Sequence, residues 1–132
     1  MTRGARAVAA ARGAIGVRFR LHGRDPATGL DCVGLAVLAL RAEGFEGAVP
    51  SGYALRSGDA AQAAAAIAAA GLIPAAKARA GDLLLLRAGS GQLHFAIQTD
   101  GGFIHADAML RRVVERPGTD WPVIGRWRVE GE

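Results

Sequence analysis

From Gly81 onward the chain is a succession of short apolar runs cut by turn residues: "DLLLLR", "LHFAIQ", "GFIHA", "RRVVE" and "VIGRWRV", with "AGSGQ" and "DGG" between them. Runs of this length, separated by Gly, Ser and Asp, are the signature of strands joined by hairpins. The spacing predicts an antiparallel meander of roughly five strands. Period-two alternation then sorts the side chains. In "LHFAIQ", His94, Ala96 and Gln98 share one face, and Phe95 and Ile97 take the other.

The first half of the chain has a longer period. Residues 3–15 are compatible with a helix, with Val8, Ala9, Arg12 and Ile15 in approximate helical register. "GVRFRLHGRDPATG" (16–29) reads as an extended segment followed by a loop. At Asp31, a good N-cap residue, an apolar helix begins that carries Cys32, Leu35, Leu38 and Ala39 on or near one face. It is apolar on nearly every side as far as Arg41, which predicts a buried helix. "DAAQAAAAIAAA" (59–70) is a third helix: Asp59 caps it, Gly71 ends it and Pro74 prevents its resumption. Helices first and a meander afterwards make an α+β fold, with the helices packed against the sheet.

The 132 residues show no linker or repeat, which predicts one domain over 1–132. The net charge is +4, and Arg3, Arg6, Arg12, Arg18, Arg20 and Arg24 all precede the first acidic residue, Asp25. Such a cluster suits a solvated face, an anionic polymer or an acidic partner. No aromatic-interleaved basic groove or helix-turn-helix pattern points to a specific nucleic-acid function. "AVAAA" (7–11) is broken by Arg12 and Gly13 before an apolar core of signal-peptide length develops. No run approaches the roughly 18 apolar residues of a membrane span. These features predict synthesis in the cytosol without a signal peptide and without a transmembrane segment.

The chain has one cysteine, so an internal disulfide framework is excluded. Cys32 follows the N-cap residue, in the first helical turn, where N–H groups and the helix dipole favour thiolate over thiol. Gly34, two residues on, is expected to leave room beside the sulfur for an incoming backbone. His94 and His105 lie on adjacent predicted strands joined by "DGG", and a hairpin can bring both imidazoles to one face. One ring would then be the general base for the thiol, and the other would fix its tautomer and orientation. The same atoms, with Asp107, could instead hold zinc with a water in the fourth position. The stabilising field of the helix terminus and the lack of a short-spaced ligand pair linking Cys32 to a histidine favour the nucleophile. No metal or other cofactor is therefore expected.

These residues resemble the NlpC-type papain-like cysteine peptidases, which cleave the peptide stems of bacterial peptidoglycan. "GVRFRLHGRDPATGLDCVGL" resembles the family's entry loop and its Asp-Cys-x-Gly nucleophile motif, and "AGDLLLL" the Gly-Asp strand that precedes the base. "LHFAIQTDGGFIHAD" resembles the histidine strand, hairpin turn and second polar residue. The resemblance implies a papain-like fold with Cys32 as nucleophile, His94 as base and His105 as orienting group. It further implies that Asp31, with positions 19 and 33, lines the pocket for the stem peptide. The bond cleaved in this family typically joins γ-D-glutamate to a diamino acid. Phe19 stands where the family usually has Tyr, and Val33 where it often has Ser, so two polar contacts near the substrate are missing.

The compact "LDCVGL" form looks most like phage-tail cell-wall peptidases, and similar proteins occur in gene transfer agents. That setting implies a tail or hub partner, met by the basic N-terminal segment, and action in the periplasm of a recipient cell. Two other functions fit the same residues: a structural tail component with a vestigial site, and a cytosolic thiol amidase or acyltransferase.

Overall fold

The computed structural model describes residues 3–49, 55, 58–88, 92–118 and 121–129. Helix α1 (Ala5–Gly13) leads to a small ribbon of β1 (Arg24–Asp25) and β2 (Gly29–Leu30), followed by α2 (Cys32–Ala42) and α3 (Ala60–Ala69). The second half contributes β3 (Ile73–Pro74), β4 (Leu83–Arg87), β5 (Leu93–Gln98), β6 (Gly102–Asp107), β7 (Arg112–Pro117) and β8 (Val123–Arg128). The fold is α+β, as the change of period predicts. The expected turn at "AGSGQ" falls largely on 89–91, outside the described residues.

The caps act where the sequence places them. The Asp31 carboxylate accepts the Gly34 N–H at 2.9 Å, and that of Asp59 accepts the Gln62 N–H at 3.0 Å. Each satisfies one of the donors that a helix start leaves unpaired. In α1 the buried side chains are Ala7, Val8 and Ala11, while Ile15 lies beyond the helix and is 45% exposed. The inward face is thus turned from the one read in the sequence. Alanines permit close approach to α2, and a bulky Ile would prevent it.

The sheet has six strands in the order β3-β8-β4-β5-β6-β7, all antiparallel. Two features depart from a simple five-strand meander. The last strand folds back between β3 and β4, and Ile73–Pro74, read only as a helix stop, pairs with Trp127 and Arg128. Proline is tolerated there because β3 is an edge strand. Strand β4 is buried on both faces, which explains its run of four leucines. Leu83 and Leu85 join the main core with Leu35, Leu40, Phe95, Ile97 and Ile104. Leu84 and Leu86 join a smaller cluster with Ala96 and Phe103, flanked by Trp121 and Val123.

The placement of β8 is fixed by Asp82, only 1% exposed. Arg128 Nε donates to its Oδ1 at 2.9 Å and Nη2 to its Oδ2 at 2.8 Å, while the Arg79 N–H donates to Oδ2. This bidentate pair joins the entry of β4 to the end of the returning strand. Removing the carboxylate leaves a partly buried guanidinium without its ion partner and the Arg79 N–H without its acceptor. Breaking a buried pair costs about 3–5 kcal/mol, and this one falls at the lower end. Asp82→Ala is therefore expected to lower unfolding free energy by about 3 kcal/mol. Arg12→Ala, which breaks the exposed and solvent-screened Arg12–Glu115 pair, should lower it far less. Denaturant midpoints of the two variants check the contrast.

Candidate active site

The site begins at the start of α2. Asp31 is buried, and its carboxylate gathers three donors: the N–H of Gly34, the N–H of His22 at 2.9 Å, and Arg24 Nη1 at 2.8 Å. One residue thus caps the helix and ties the 20–24 loop to its first turn. Gly34 completes this joint. A Cβ on Gly34 would lie 2.1 Å from the carbonyl oxygen of Gly23. The space beside Gly34 is therefore filled by the protein's own loop, not left open for a substrate backbone.

A break in the sheet admits the helix terminus. Strands β5 and β6 pair only at Gln98–Phe103 and Ile97–Ile104, although β6 continues to pair with β7 as far as Asp107. Beyond Ile97 the two strands part. Gln98 directs its backbone groups towards the β4 side, to Asp82 and Gly81. Backbone direction alternates along a strand, so that of Phe95 points into the gap. The Cys32 thiol is close enough to the Phe95 and Val33 N–H groups for both to act on its ionisation. The sulfur is thus set beside the residue that immediately follows His94.

On the face shared with Ala96 and Phe103, His94 Nε2 and His105 Nδ1 lie 2.9 Å apart, with the ring planes nearly perpendicular. The hairpin thus brings the two imidazoles together as the alternation predicts. The contact at Nε2 leaves Nδ1 as the His94 ring nitrogen not engaged with His105; whether it carries the proton or the lone pair depends on the tautomer. Trp121 meets both rings edge to face, at centroid distances of 5.9 Å and 5.3 Å, and Arg116 lies over Trp121. Neither Trp121 nor Arg116 is picked out by the sequence: a Trp in a turn-rich segment and an Arg on an alternating strand carry no local mark of a site. Arg24 is missed for the same reason.

Burial dominates the electrostatics. It pushes the Cys32 thiol up to about 11, with Asp31 adding to the rise; the Phe95 and Val33 N–H groups and the Arg24 charge oppose it. His94 is pushed down to about 4 by burial and by His105, against the pull of Asp107 and Asp31. His105 falls to about 4 by burial, with Asp107 opposing and Arg116 assisting. At neutral pH the resting groups are a thiol and two neutral imidazoles. This reverses the thiolate expected from the helix terminus, because the field of one helix end is smaller than the cost of desolvating an anion.

The remaining sequence-predicted positions separate. Val33 is 2% exposed and packs in the core. Asp31 has both carboxylate oxygens engaged within the protein. Phe19 is half-buried against the core; its N–H donates to the Arg111 carbonyl, and it bridges Leu30. Among the described residues, no three His, Cys, Asp or Glu side chains are arranged as a metal-ligand set. No helix of the described residues is long and apolar enough to cross a membrane.

The two imidazoles also predict a stability profile. In the unfolded chain each binds a proton near the ordinary 6.5, whereas the folded protein holds both rings neutral down to about 4. The unfolded state therefore takes up more protons as pH falls across that window, and folding stability declines with it. Melting temperature is expected to drop between pH 6.5 and 4. A double variant, His94→Gln with His105→Gln, should show a flatter profile over the same range.

Comparison with known proteins follows the same lines as the geometry. The domain model of the NlpC/P60 family matches residues 16–120, which include Cys32, His94 and His105. The NlpC/p60 domain of the peptidoglycan hydrolase SagA superposes with a TM-score of 0.65 at 27% identity, covering 97% of this chain and 100% of that one. The P60 domain of an antigen from M. avium subspecies paratuberculosis gives 0.57 at 24% identity, covering 96% and 93%. NlpC2 from Trichomonas vaginalis gives 0.63 at 20% identity, covering 97% of this chain and 48% of its own; these last two likenesses are of fold alone. A search among curated proteins returned no match. With a family match across most of its length and a sheet and helix arrangement shared with a peptidoglycan hydrolase domain, the chain belongs to the NlpC/P60 family, whose members are generally cysteine peptidases of the cell wall.

Proposed function

We propose that the protein is a cysteine endopeptidase that cleaves peptidoglycan stem peptides, with Cys32 as nucleophile, His94 as base and His105 as the group that orients His94. One observation carries this reading. The His94–His105 hydrogen bond uses Nε2 and leaves Nδ1 for a proton, while the only thiol of the chain sits beside the adjacent Phe95 N–H.

The neutral resting pair sets the order of events. His94 Nδ1 takes the Sγ proton as sulfur attacks the amide carbonyl, so the ion pair forms with the new S–C bond and not before it. Backbone N–H groups at the start of α2, that of Cys32 among them, face the developing oxyanion. The Gly34 N–H is already taken by Asp31. The tetrahedral adduct collapses by breaking its C–N bond, and protonated His94 gives its proton to the leaving amine. Water, deprotonated by His94, then hydrolyses the thioester and restores the thiol. His105 accepts from His94 Nε2–H throughout and steadies the imidazolium.

The bond proposed is that between γ-D-glutamate and the diamino acid, on the strength of family membership. Val33 lies in the core and the Asp31 oxygens are engaged, so the exposed part of Arg24 is the group proposed to meet the substrate. The setting proposed is a phage-like tail particle that delivers the enzyme to a recipient envelope, with the arginine-rich N-terminal segment against a hub protein. This rests on the "LDCVGL" resemblance and on charge.

Purified protein incubated with defined muropeptides under reducing conditions should yield stems cut after γ-D-glutamate, read by mass spectrometry. Intact stems after long incubation would instead support a structural role. Cys32→Ala and His94→Ala should each lower kcat by about three orders of magnitude or more, and the double variant should be little worse, because the two act as a unit. A near-normal rate in His94→Ala would remove the base assignment. His105→Asn, whose amide oxygen can still accept from His94, should lose about 10-fold, and His105→Ala about 100-fold.

A further inference from the structure

The innermost polar atom of the site has no partner of its own. His105 is 1% exposed, and its Nε2 is buried without a hydrogen bond. Buried ring nitrogens in that condition are rare and call for an explanation. The nearest charged group is the Asp107 carboxylate, whose Oδ2 lies 3.6 Å from Nε2. That is an ion-pair distance, longer than an N–H···O bond of about 3 Å. The carboxylate is held firmly in this position. Its Oδ1 accepts the N–H groups of Met109 at 2.9 Å and Leu110 at 3.0 Å, an Asx turn that closes the end of β6.

We propose that Asp107 is a positioning residue that keeps the proton of His105 on Nε2 and thereby fixes the tautomer of both imidazoles. This rests on the functional reading above and extends it by one residue. The logic is that of a chain with one proton per ring. A carboxylate facing Nε2 favours N–H there and disfavours a second lone pair. Nδ1 of His105 must then be an acceptor, so the nitrogen 2.9 Å away, His94 Nε2, must carry the other proton. His94 Nδ1 is left with a lone pair, the form that can receive a proton from sulfur. In the opposite arrangement His105 Nδ1–H would donate to His94 Nε2, and His94 would turn an N–H towards the thiol. The distances alone allow either arrangement; Asp107 selects between them. The other groups around His105 do not compete for Nε2. His94 engages Nδ1, Phe103 and Trp121 present rings, and Arg116, over Trp121, is a cation that cannot accept.

Asp107→Asn is the informative change because it is isosteric. The Asx turn needs an acceptor, so the amide oxygen keeps the Oδ1 position and the NH2 group takes that of Oδ2. A donor then faces His105 Nε2, and the tautomer chain inverts. Inverting the tautomer of a catalytic imidazole by such a change costs about 10⁴ in kcat when the carboxylate contacts the base directly. Acting through a second ring, Asp107→Asn is expected to lower kcat by about 100-fold or more, with KM little changed.

The test is nitrogen-15 NMR of the full chain near neutral pH, where only His22, His94 and His105 need assignment. Wild type should show protonated Nε2 and unprotonated Nδ1 on both His94 and His105. Asp107→Asn should show the reverse on both. Wild type with His105 protonated at Nδ1 would overturn the proposal without recourse to any variant, as would a folded Asp107→Asn protein with unchanged tautomers or unchanged kcat. The two readings fail separately. The expected tautomers in a wild type that leaves muropeptides intact would support Asp107's role while removing the peptidase function. Turnover in a wild type with the opposite tautomers would do the converse.

Discussion

The premature end of the β5–β6 ladder is the constraint on which the site depends. Had pairing continued beyond Ile97–Ile104, the Phe95 N–H would be bonded to β6 and the gap would be closed. Because the strands part, a backbone donor in the middle of a sheet is left without a strand partner, and a buried donor needs one. The start of α2 brings the Cys32 sulfur close to that donor. The same parting places His94 and His105 at hydrogen-bond distance across the widened space, where their rings bridge what the backbone no longer joins. A local loss of backbone pairing is thus recovered as side-chain geometry.

Asp31 has a comparable part on the helix side. A cap alone needs one acceptor, yet this carboxylate also holds the His22 N–H and Arg24. The loop before the helix is thereby locked to its first turn, with Gly34 allowing the contact with Gly23 that any side chain would block. This joint holds the helix start that carries the cysteine. The Asp-Cys-x-Gly motif is therefore as much a joint of the fold as a mark of chemistry.

The electrostatic consequence is a site that favours neutral groups. Dry surroundings raise the thiol and lower both imidazoles; Asp31 adds to the rise at the thiol while the Phe95 N–H opposes it, and Asp107 opposes the fall at both rings, joined by Asp31 at His94. Desolvating a sulfur anion costs more than one helix end recovers. Charge separation is then reserved for the moment of attack, when oxyanion and imidazolium appear together among oriented donors. Membership of the NlpC/P60 family accords with such an arrangement.

Much of this was legible in the sequence. The helix starts at Asp31 and Asp59, the strand period after Gly81, the placing of His94 with Ala96 on one face and the pairing of the two histidines follow from local rules: capping chemistry, periodicity and hairpin geometry. The return of β8 between β3 and β4, the turned face of α1, the core position of Val33 and the filling of the space beside Gly34 were not. Each depends on what packs there from elsewhere in the chain, and periodicity gives a face without its partner. The amino-acid order by itself determined which side chains can reach one another along a strand or turn. Only the tertiary structure decided their ionisation, because protonation depends on how much water the surrounding elements exclude, and that is a property of the assembled fold.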